Sequence, residues 1–221
     1  HPMSKEVVKK LKKYNPDQII FLPLYPQFST TTSQSSFGDF EESLKKVEMD
    51  HVPIKKVCCY FDDEEFILSH AKLIKKTIQR QNFRNLKDFR ILFSAQGLPQ
   101  KIIDAGDPYV FQVEETAKRV MAKLYELLAK DKVFGLKVEM NEKNIARIDH
   151  QVCYQSKVGT LKWTQPSLEG EIKRIASDNK NPVIAPISFV SEHSDTLVEL
   201  DIEYKEISDK LGIKKYARVP A

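Results

Sequence analysis

The residues best suited to chemistry lie near the C-terminus, where a histidine and three acids follow an apolar run. His193 is followed by Asp195, Glu199 and Glu203, and the acids are spaced four residues apart. On a helix this spacing places the three carboxylates along one face, and imidazole with carboxylate is a ligand set that suits iron. Taken alone, the pattern favours a solvated acidic face, because an apolar stripe lies on roughly the opposite side. That stripe consists of Leu197, Leu200, Tyr204, Ile207 and Leu211.

A second set of candidates lies in loops that follow strand-like runs. Gln96 comes directly after such a run, and its amide donates and accepts hydrogen bonds but does not titrate. By itself it therefore indicates binding rather than proton transfer. Tyr25, Phe28 and Trp163 lie in or beside other loops and are able to stack on a flat ligand. Aromatic packing at the base of the loops explains them equally well.

The elements that position these residues follow from the alternation of short apolar runs with amphipathic segments. Such alternation predicts an α/β fold with mostly parallel sheets. The predicted strands are residues 18–24, 54–60, 89–94, 148–154, 182–189 and 216–219. The predicted helices are residues 3–14, 36–47, 64–79, 108–130, 167–176 and 194–211. Asp107 is expected to cap the helix that begins at Pro108, and the polar stretch 131–144 is expected to be a surface excursion.

Composition excludes several classes of protein. A net charge of +4 from 35 basic and 31 acidic residues is too balanced to indicate nucleic-acid binding. The sequence has no glycine-rich phosphate loop, and no run approaches the roughly 18 apolar residues of a membrane span. Three cysteines make no disulfide framework, which favours a reducing compartment. We therefore expect a cytosolic or at most membrane-associated protein.

Four stretches occur together in a specific combination. They read FLPLYPQFSTTT, ILFSAQGLPQKIIDAGDPY, YQSKVGTLKW and SFVSEHSDTLVELDIEY, in this order. Together they resemble the ferrochelatase family, whose members insert ferrous iron into protoporphyrin IX to form protohaem. The likeness runs from His1 to Ala221 and so covers the entire chain.

The resemblance implies two Rossmann-like, chelatase-type lobes with parallel sheets and a porphyrin held between them. Residues 1–87 would be the remainder of the N-terminal lobe, incomplete because family members carry a further N-terminal portion. Residues 88–221 would form the C-terminal lobe, with the last helix packing back on lobe one. Iron and protoporphyrin are implied as substrates, with no tightly bound cofactor and no iron-sulfur cluster. The implied location is the cytoplasm, with peripheral association with the inner membrane.

The resemblance also assigns roles to individual residues, and it places two departures at the functional positions. The family loop reads S-A-H where this chain has Gln96, and the glutamate of the family's H-x-E-T motif falls on Asp195. These two residues take the catalytic positions, and Tyr25, Phe28 and Trp163 the porphyrin-binding ones. Thr160 replaces a proline that usually follows Gly159. The implied metal contacts are Gln96, His193, Asp195, Glu199 and Glu203.

The two departures are not neutral chemically. Metallation requires two pyrrole N–H protons to leave, and an amide has no usable basicity near neutral pH, so a rate loss on the order of 10² to 10⁴ is expected. Aspartate withdraws its carboxylate by one methylene, and a misplacement of about 1 Å costs roughly 10²-fold. We therefore expect weak or lost ferrochelatase activity. The alternatives are a non-catalytic porphyrin- or metal-binding relic, part of a longer or split protein, or an unrelated α/β binding module.

Overall fold

The computed structural model describes residues 3–83, 85–130, 148–156 and 159–221. The predicted excursion at 131–144 lies outside these residues. The α-helices are α1 Ser4–Tyr14, α2 Ser35–Lys45, α3 Glu64–Arg80, α4 Gln100–Asp104, α5 Tyr109–Lys130, α6 Leu168–Ser177 and α7 Tyr204–Lys210. The strands are β1 Ile19–Phe21, β2 Ile54–Lys56, β3 Phe89–Gln96, β4 His150–Gln155, β5 Asn181–Pro186 and β6 Ala217–Arg218. Two further segments, Thr30–Gln34 and Asp195–Glu203, are π-helical.

The strands form two parallel sheets, which confirms the predicted α/β class. The larger sheet has the order β4-β3-β5-β6, and the smaller sheet pairs β1 with β2. Strand β3 pairs with β4 on one side and with β5 on the other. Its last residue, Gln96, is in register with Gln155 at the end of β4. The fold therefore places these two amides side by side at the carboxyl edge of the larger sheet.

The larger sheet is covered by helices on both faces. Ile91 and Phe93 of β3 point toward α3 and α5 and pack with Ile74 and Val113. Leu92 points to the other face, where it packs with Ile172 of α6 and other buried residues. Because successive strand residues point to opposite faces, a strand covered on both faces tends to be apolar at consecutive positions, as Ile91, Leu92 and Phe93 are. This explains the continuous apolar run that predicted β3.

Most predicted elements are present, although several of their bounds differ from the predicted ones. The strand predicted at 54–60 ends at Lys56, after which the chain turns so that the Tyr60 N–H donates to the Pro26 carbonyl at 2.9 Å. The single helix predicted at 194–211 is two elements, a π-helical segment followed by α7. The predicted cap is confirmed, since the Tyr109 N–H donates to Asp107 Oδ1 at 3.0 Å.

The division of the chain at residue 88 remains a prediction. The smaller sheet lies wholly before this position and the larger sheet wholly after it. Helix α3 also precedes the division, yet it packs on the larger sheet and against α5. The last helix was expected to pack back on lobe one; α7 contacts α6, and its Ile207 packs in the apolar cluster around Leu92.

The smaller sheet is covered on one face and open on the other. Ile19 and Phe21 of β1 face α1 and α2, where they pack near Val8 and Phe40. Ile20, between them, is 64% exposed. A parallel sheet normally has helices on both faces, so this surface is unusually apolar for a parallel strand in contact with solvent. None of the described helices combines the length and the hydrophobicity needed to cross a membrane.

Buried His70 makes the stability of the fold depend on pH. It lies on α3 with 4% exposure, packs edge-on against Phe66, and its Nδ1 finds no hydrogen-bond partner within the described residues. Burial lowers the pKa of His70 from 6.5 to about 4. In the unfolded chain His70 binds a proton as the pH falls below 6.5, whereas in the folded chain it does so only near pH 4. The stability present above pH 6.5 is lost progressively as the pH falls toward 4.

We expect His70→Leu to remove this contribution. We would measure the free energy of unfolding in urea at pH 7 and at pH 4.5. Between these two values the wild type should lose about 2 kcal/mol more than the variant, which is the free energy that corresponds to the pKa shift of His70. His51→Leu, at an exposed position, is the matched control and should behave like the wild type. Equal losses in the wild type and His70→Leu would contradict the assignment.

Candidate active site

A cleft of about 1110 Å³ opens at the carboxyl ends of β3, β4 and β5. This is the edge at which α/β proteins gather their ligand-binding loops. Its walls are contributed by several separate stretches of the chain. They include Leu24, Tyr25, Thr31, Thr32, Gln96, Gly97, Leu98, Pro99, Ser156, Trp163, Phe189, His193, Asp195 and Glu199.

The cleft brings most of the predicted site residues together. Gln96, His193, Asp195, Glu199, Tyr25 and Trp163 all line it. Phe28 and Glu203 are not among the lining residues: the side chain of Phe28 is half-buried elsewhere, and Glu203 is exposed at the end of the second π-helical segment. Within the described ranges, no three His, Cys, Asp or Glu side chains are close enough to hold a metal ion. The predicted catalytic and metal-binding roles therefore stay predictions.

Gln96 presents an unsatisfied hydrogen-bond acceptor at the cleft. Its Oε1 is shielded from solvent and finds no partner within the described residues. A buried acceptor without a donor is costly, so a ligand that carries an N–H group would relieve it. Behind the cleft, the buried Tyr109 hydroxyl hydrogen-bonds to Ser188 Oγ at 3.1 Å.

Gly97 allows three parts of the site to approach closely. Its N–H donates to the Gln155 carbonyl at 2.9 Å. A Cβ at this position would lie 2.7 Å from that carbonyl oxygen and 3.3 Å from Trp163 Cε3. A side chain is therefore excluded by the backbone itself, and the Trp163 ring is kept directly against the end of β3.

His193 is fixed in one orientation by its own turn. Its Nδ1 accepts the Asp195 backbone N–H at 3.2 Å, and its ring packs edge-on against Phe189 with centroids 4.2 Å apart. In a neutral ring the proton must then be on Nε2. In that tautomer Nε2 is the hydrogen-bond donor of the ring, while Nδ1 is engaged by the turn.

Glu199 is held by a chain of polar groups that begins below the cleft floor. Ser94 Oγ donates to Gln155 Oε1, and Gln155 Nε2 donates to the Asp195 carbonyl at 3.0 Å and to Glu199 at 3.3 Å. Ser156 Oγ donates to both Glu199 carboxylate oxygens, at 2.7 and 2.8 Å. The end of β4 thus fixes the first turns of the second π-helical segment.

Burial raises the pKa of Glu199 above its ordinary value of 4.5. The hydrogen bond from Ser156 opposes this, but the nearby charges of Asp195 and Glu203 add to it. Glu199 therefore exchanges a proton closer to neutral pH than an exposed glutamate does. A carboxyl group of this kind is suited to accept a proton from a ligand.

The predicted ladder of acids is only partly inside the cleft. In the second π-helical segment the hydrogen bonds span five residues, as between the Tyr204 N–H and the Glu199 carbonyl. Residues four apart do not stay aligned over two such wide turns. Asp195 and Glu199 line the cleft, and Glu203 leaves it.

One wall of the cleft is anchored by Asp107, a role that the sequence did not reveal beyond its helix cap. Asp107 Oδ2 accepts Ser29 Oγ at 3.0 Å, and the Thr30 N–H and Thr30 Oγ1 at 2.7 Å each. Burial opposes ionisation of this carboxyl, but the hydrogen bonds from Thr30, Tyr109 and Ser29 outweigh it and lower the pKa. The loop that leads into Thr31 and Thr32 is therefore tied to the start of α5.

The sequence also did not reveal that Gln155 and Ser156 belong to the site. The signal that could have found them is their place at the end of β4, beside Gln96 in the register of the sheet.

Comparison with known proteins identifies the family of the chain. The chain matches the ferrochelatase family over residues 1–221. It is 49% identical over 219 residues to a ferrochelatase of Rickettsia bellii, covering 99% of this chain and 53% of that protein. It is 44% identical over 221 residues to a ferrochelatase of Pelagibacter ubique, covering 57% of that protein. The chain thus spans about half the length of the curated relatives that it matches, and it belongs to the ferrochelatase family.

Proposed function

We propose that the cleft inserts ferrous iron into protoporphyrin IX to form protohaem, at a rate limited by Gln96 and Asp195. The observation that carries the proposal is the unsatisfied Gln96 Oε1 in a cleft that also contains Asp195 and Glu199. A free porphyrin offers inward-pointing pyrrole N–H groups, which are the donors that this acceptor lacks. As Fe²⁺ enters the ring, two pyrrole protons leave, and the product is the iron porphyrin.

The roles follow from what each side chain is able to do. Gln96 orients the macrocycle by accepting a pyrrole N–H but does not take its proton. Asp195 and Glu199 are the carboxylates of the cleft and are suited both to contact Fe²⁺ and to accept the released protons. Tyr25 and Trp163 lie where they could stack on the macrocycle. We also propose that the protein lies in the cytoplasm, with peripheral contact to the inner membrane because the protoporphyrin macrocycle is largely apolar.

The second candidate is a protein that binds porphyrin without metallating it, either as a relic or as part of a longer or split protein. The observation that favours it is Gln96 itself, since an amide at the central position retains binding and loses basicity. The two candidates share ligand binding and differ in turnover.

Trp163, the single tryptophan of the chain, provides the test. Protoporphyrin bound in the cleft should quench its fluorescence saturably, because the ring lines the cleft wall. Turnover is followed separately by the porphyrin absorbance after addition of Fe²⁺ or Zn²⁺ without oxygen. Quenching with slow metallation supports the first candidate, and quenching without metallation supports the second. Absence of both would reject the cleft as a porphyrin site.

A further inference from the structure

Two adjacent thiols lie outside the cleft, in the loop between β2 and α3. Cys58 is exposed and Cys59 is half-buried. The two residues are adjacent in the chain, and Cys59 Sγ accepts a hydrogen bond from Gln112 Nε2 at 3.9 Å. The third cysteine, Cys153, is fully buried in the core of the larger sheet. The adjacent pair is therefore the accessible thiol group of the described chain.

The backbone on both sides of the pair is fixed. Before it, the Val57 N–H donates to the Phe21 carbonyl at 3.0 Å. After it, the Tyr60 N–H donates to the Pro26 carbonyl and the Tyr60 hydroxyl to the Pro23 carbonyl, both at 2.9 Å. Because the loop is held at both ends, the backbone that carries the two cysteines is already ordered, which lowers the entropy cost of binding one ligand through both.

The surroundings decide which ligand this pair prefers. A divalent cation requires thiolates and releases their protons on binding. Burial, Cys58 and Asp62 raise the pKa of Cys59 to about 11, which opposes that release. A structural zinc site also needs four ligands, and in the described part of the chain no third His, Cys, Asp or Glu joins this pair. The preferred ligand therefore needs two sulfur atoms and releases no protons.

We propose that Cys58 and Cys59 form a binding site for monosubstituted trivalent arsenicals. In water such a compound is an arsonous acid, R–As(OH)₂. Two As–O bonds break and two As–S bonds form, and each thiol proton leaves on a hydroxide as water. The arsenic stays trivalent, so the step needs no oxidant or reductant. The site does not depend on the proposed metallation of porphyrin.

The test uses phenylarsine oxide and the whole 221-residue chain. Mass spectrometry of the intact protein should show one phenylarsenic adduct, and Cys58 and Cys59 should become resistant to iodoacetamide. Cys58→Ser and Cys59→Ser each leave one thiol of the pair, so each should weaken binding on the order of 100-fold, because the second, intramolecular As–S bond is then lost. Circular dichroism confirms that each variant is folded.

Cys153→Ala is the matched control and should bind as the wild type does. The proposal would be overturned if either single serine variant kept the wild-type affinity, or if the folded wild-type chain formed no adduct. An equal concentration of Zn²⁺ should not displace the arsenical; displacement would show that the ligand class is wrong. None of these readouts involves porphyrin, so failure here and failure of the proposed function are distinguished.

Discussion

Replacing Gln96 with histidine and Asp195 with glutamate in one variant is expected to raise the rate of protoporphyrin metallation on the order of 10²-fold or more. The histidine supplies a base at the place where the amide only accepts a hydrogen bond. The glutamate extends its carboxylate by one methylene toward the same ligand. Steady-state metallation with Fe²⁺ or Zn²⁺, followed by porphyrin absorbance, measures the gain.

The control for this variant carries the same chemical changes at exposed positions, Gln79→His with Asp50→Glu, and should turn over at the parental rate. The two single replacements show how much each contributes to the gain in metallation rate. We expect Gln96→His to contribute more, because it restores a base, whereas Asp195→Glu only lengthens a side chain. If the double variant bound porphyrin but was no faster than the parent, the departures at these two positions would not be what limits the reaction.

Asp107→Ala is expected to destabilise the chain by about 3 kcal/mol, since hydrogen bonds to a charged acceptor contribute more than neutral ones and the donors stay partly buried without partners. The losses include the cap of α5 and the anchors of Ser29 and Thr30. Urea unfolding measures the change. Porphyrin titration should also show weaker binding, because the anchored loop forms one wall of the cleft.

Asp104→Ala, an exposed aspartate three residues away, is the control and should change stability by well under 1 kcal/mol. The pH dependence gives a second check. Because the folded pKa of Asp107 lies below its ordinary value of 3.8, its contribution is present above pH 3.8 and is lost as the pH falls through the folded pKa. A variant that unfolded at the wild-type urea concentration would show that the anchor contributes nothing.

The order of elements was predictable because hydrophobic periodicity is a local property of the sequence. Strand β3 is buried on both faces and therefore reads as an apolar run. The strand ends were less predictable: Leu22 and Leu24 are as apolar as a strand interior, yet they are exposed, and Leu24 lines the cleft. The change from α- to π-helical hydrogen bonding after Ser194 was not predicted. The Asp195 carbonyl there accepts Gln155 Nε2, a contact between residues distant in sequence.

The site residues that could be predicted from the sequence are those whose own loop contains a recognisable motif. Gln96, His193 and Asp195 were found from their loops and all line the cleft. Glu203 was grouped with them because an α-helical period was assumed. Gln155 was not predicted as a site residue, because an amide at the end of a strand indicates a site only once the register of β3 and β4 is known.

The two edge strands of the smaller sheet differ in the polarity of their exposed side chains. This difference favours one edge over the other for the addition of a further strand. Strand β1 exposes Ile20 and, just beyond it, Leu22, whereas β2 presents Lys55 and Lys56 to solvent. Lysines on an edge strand discourage the addition of another strand, and an apolar edge strand lacks that protection. An additional strand would therefore meet less opposition at β1 than at β2.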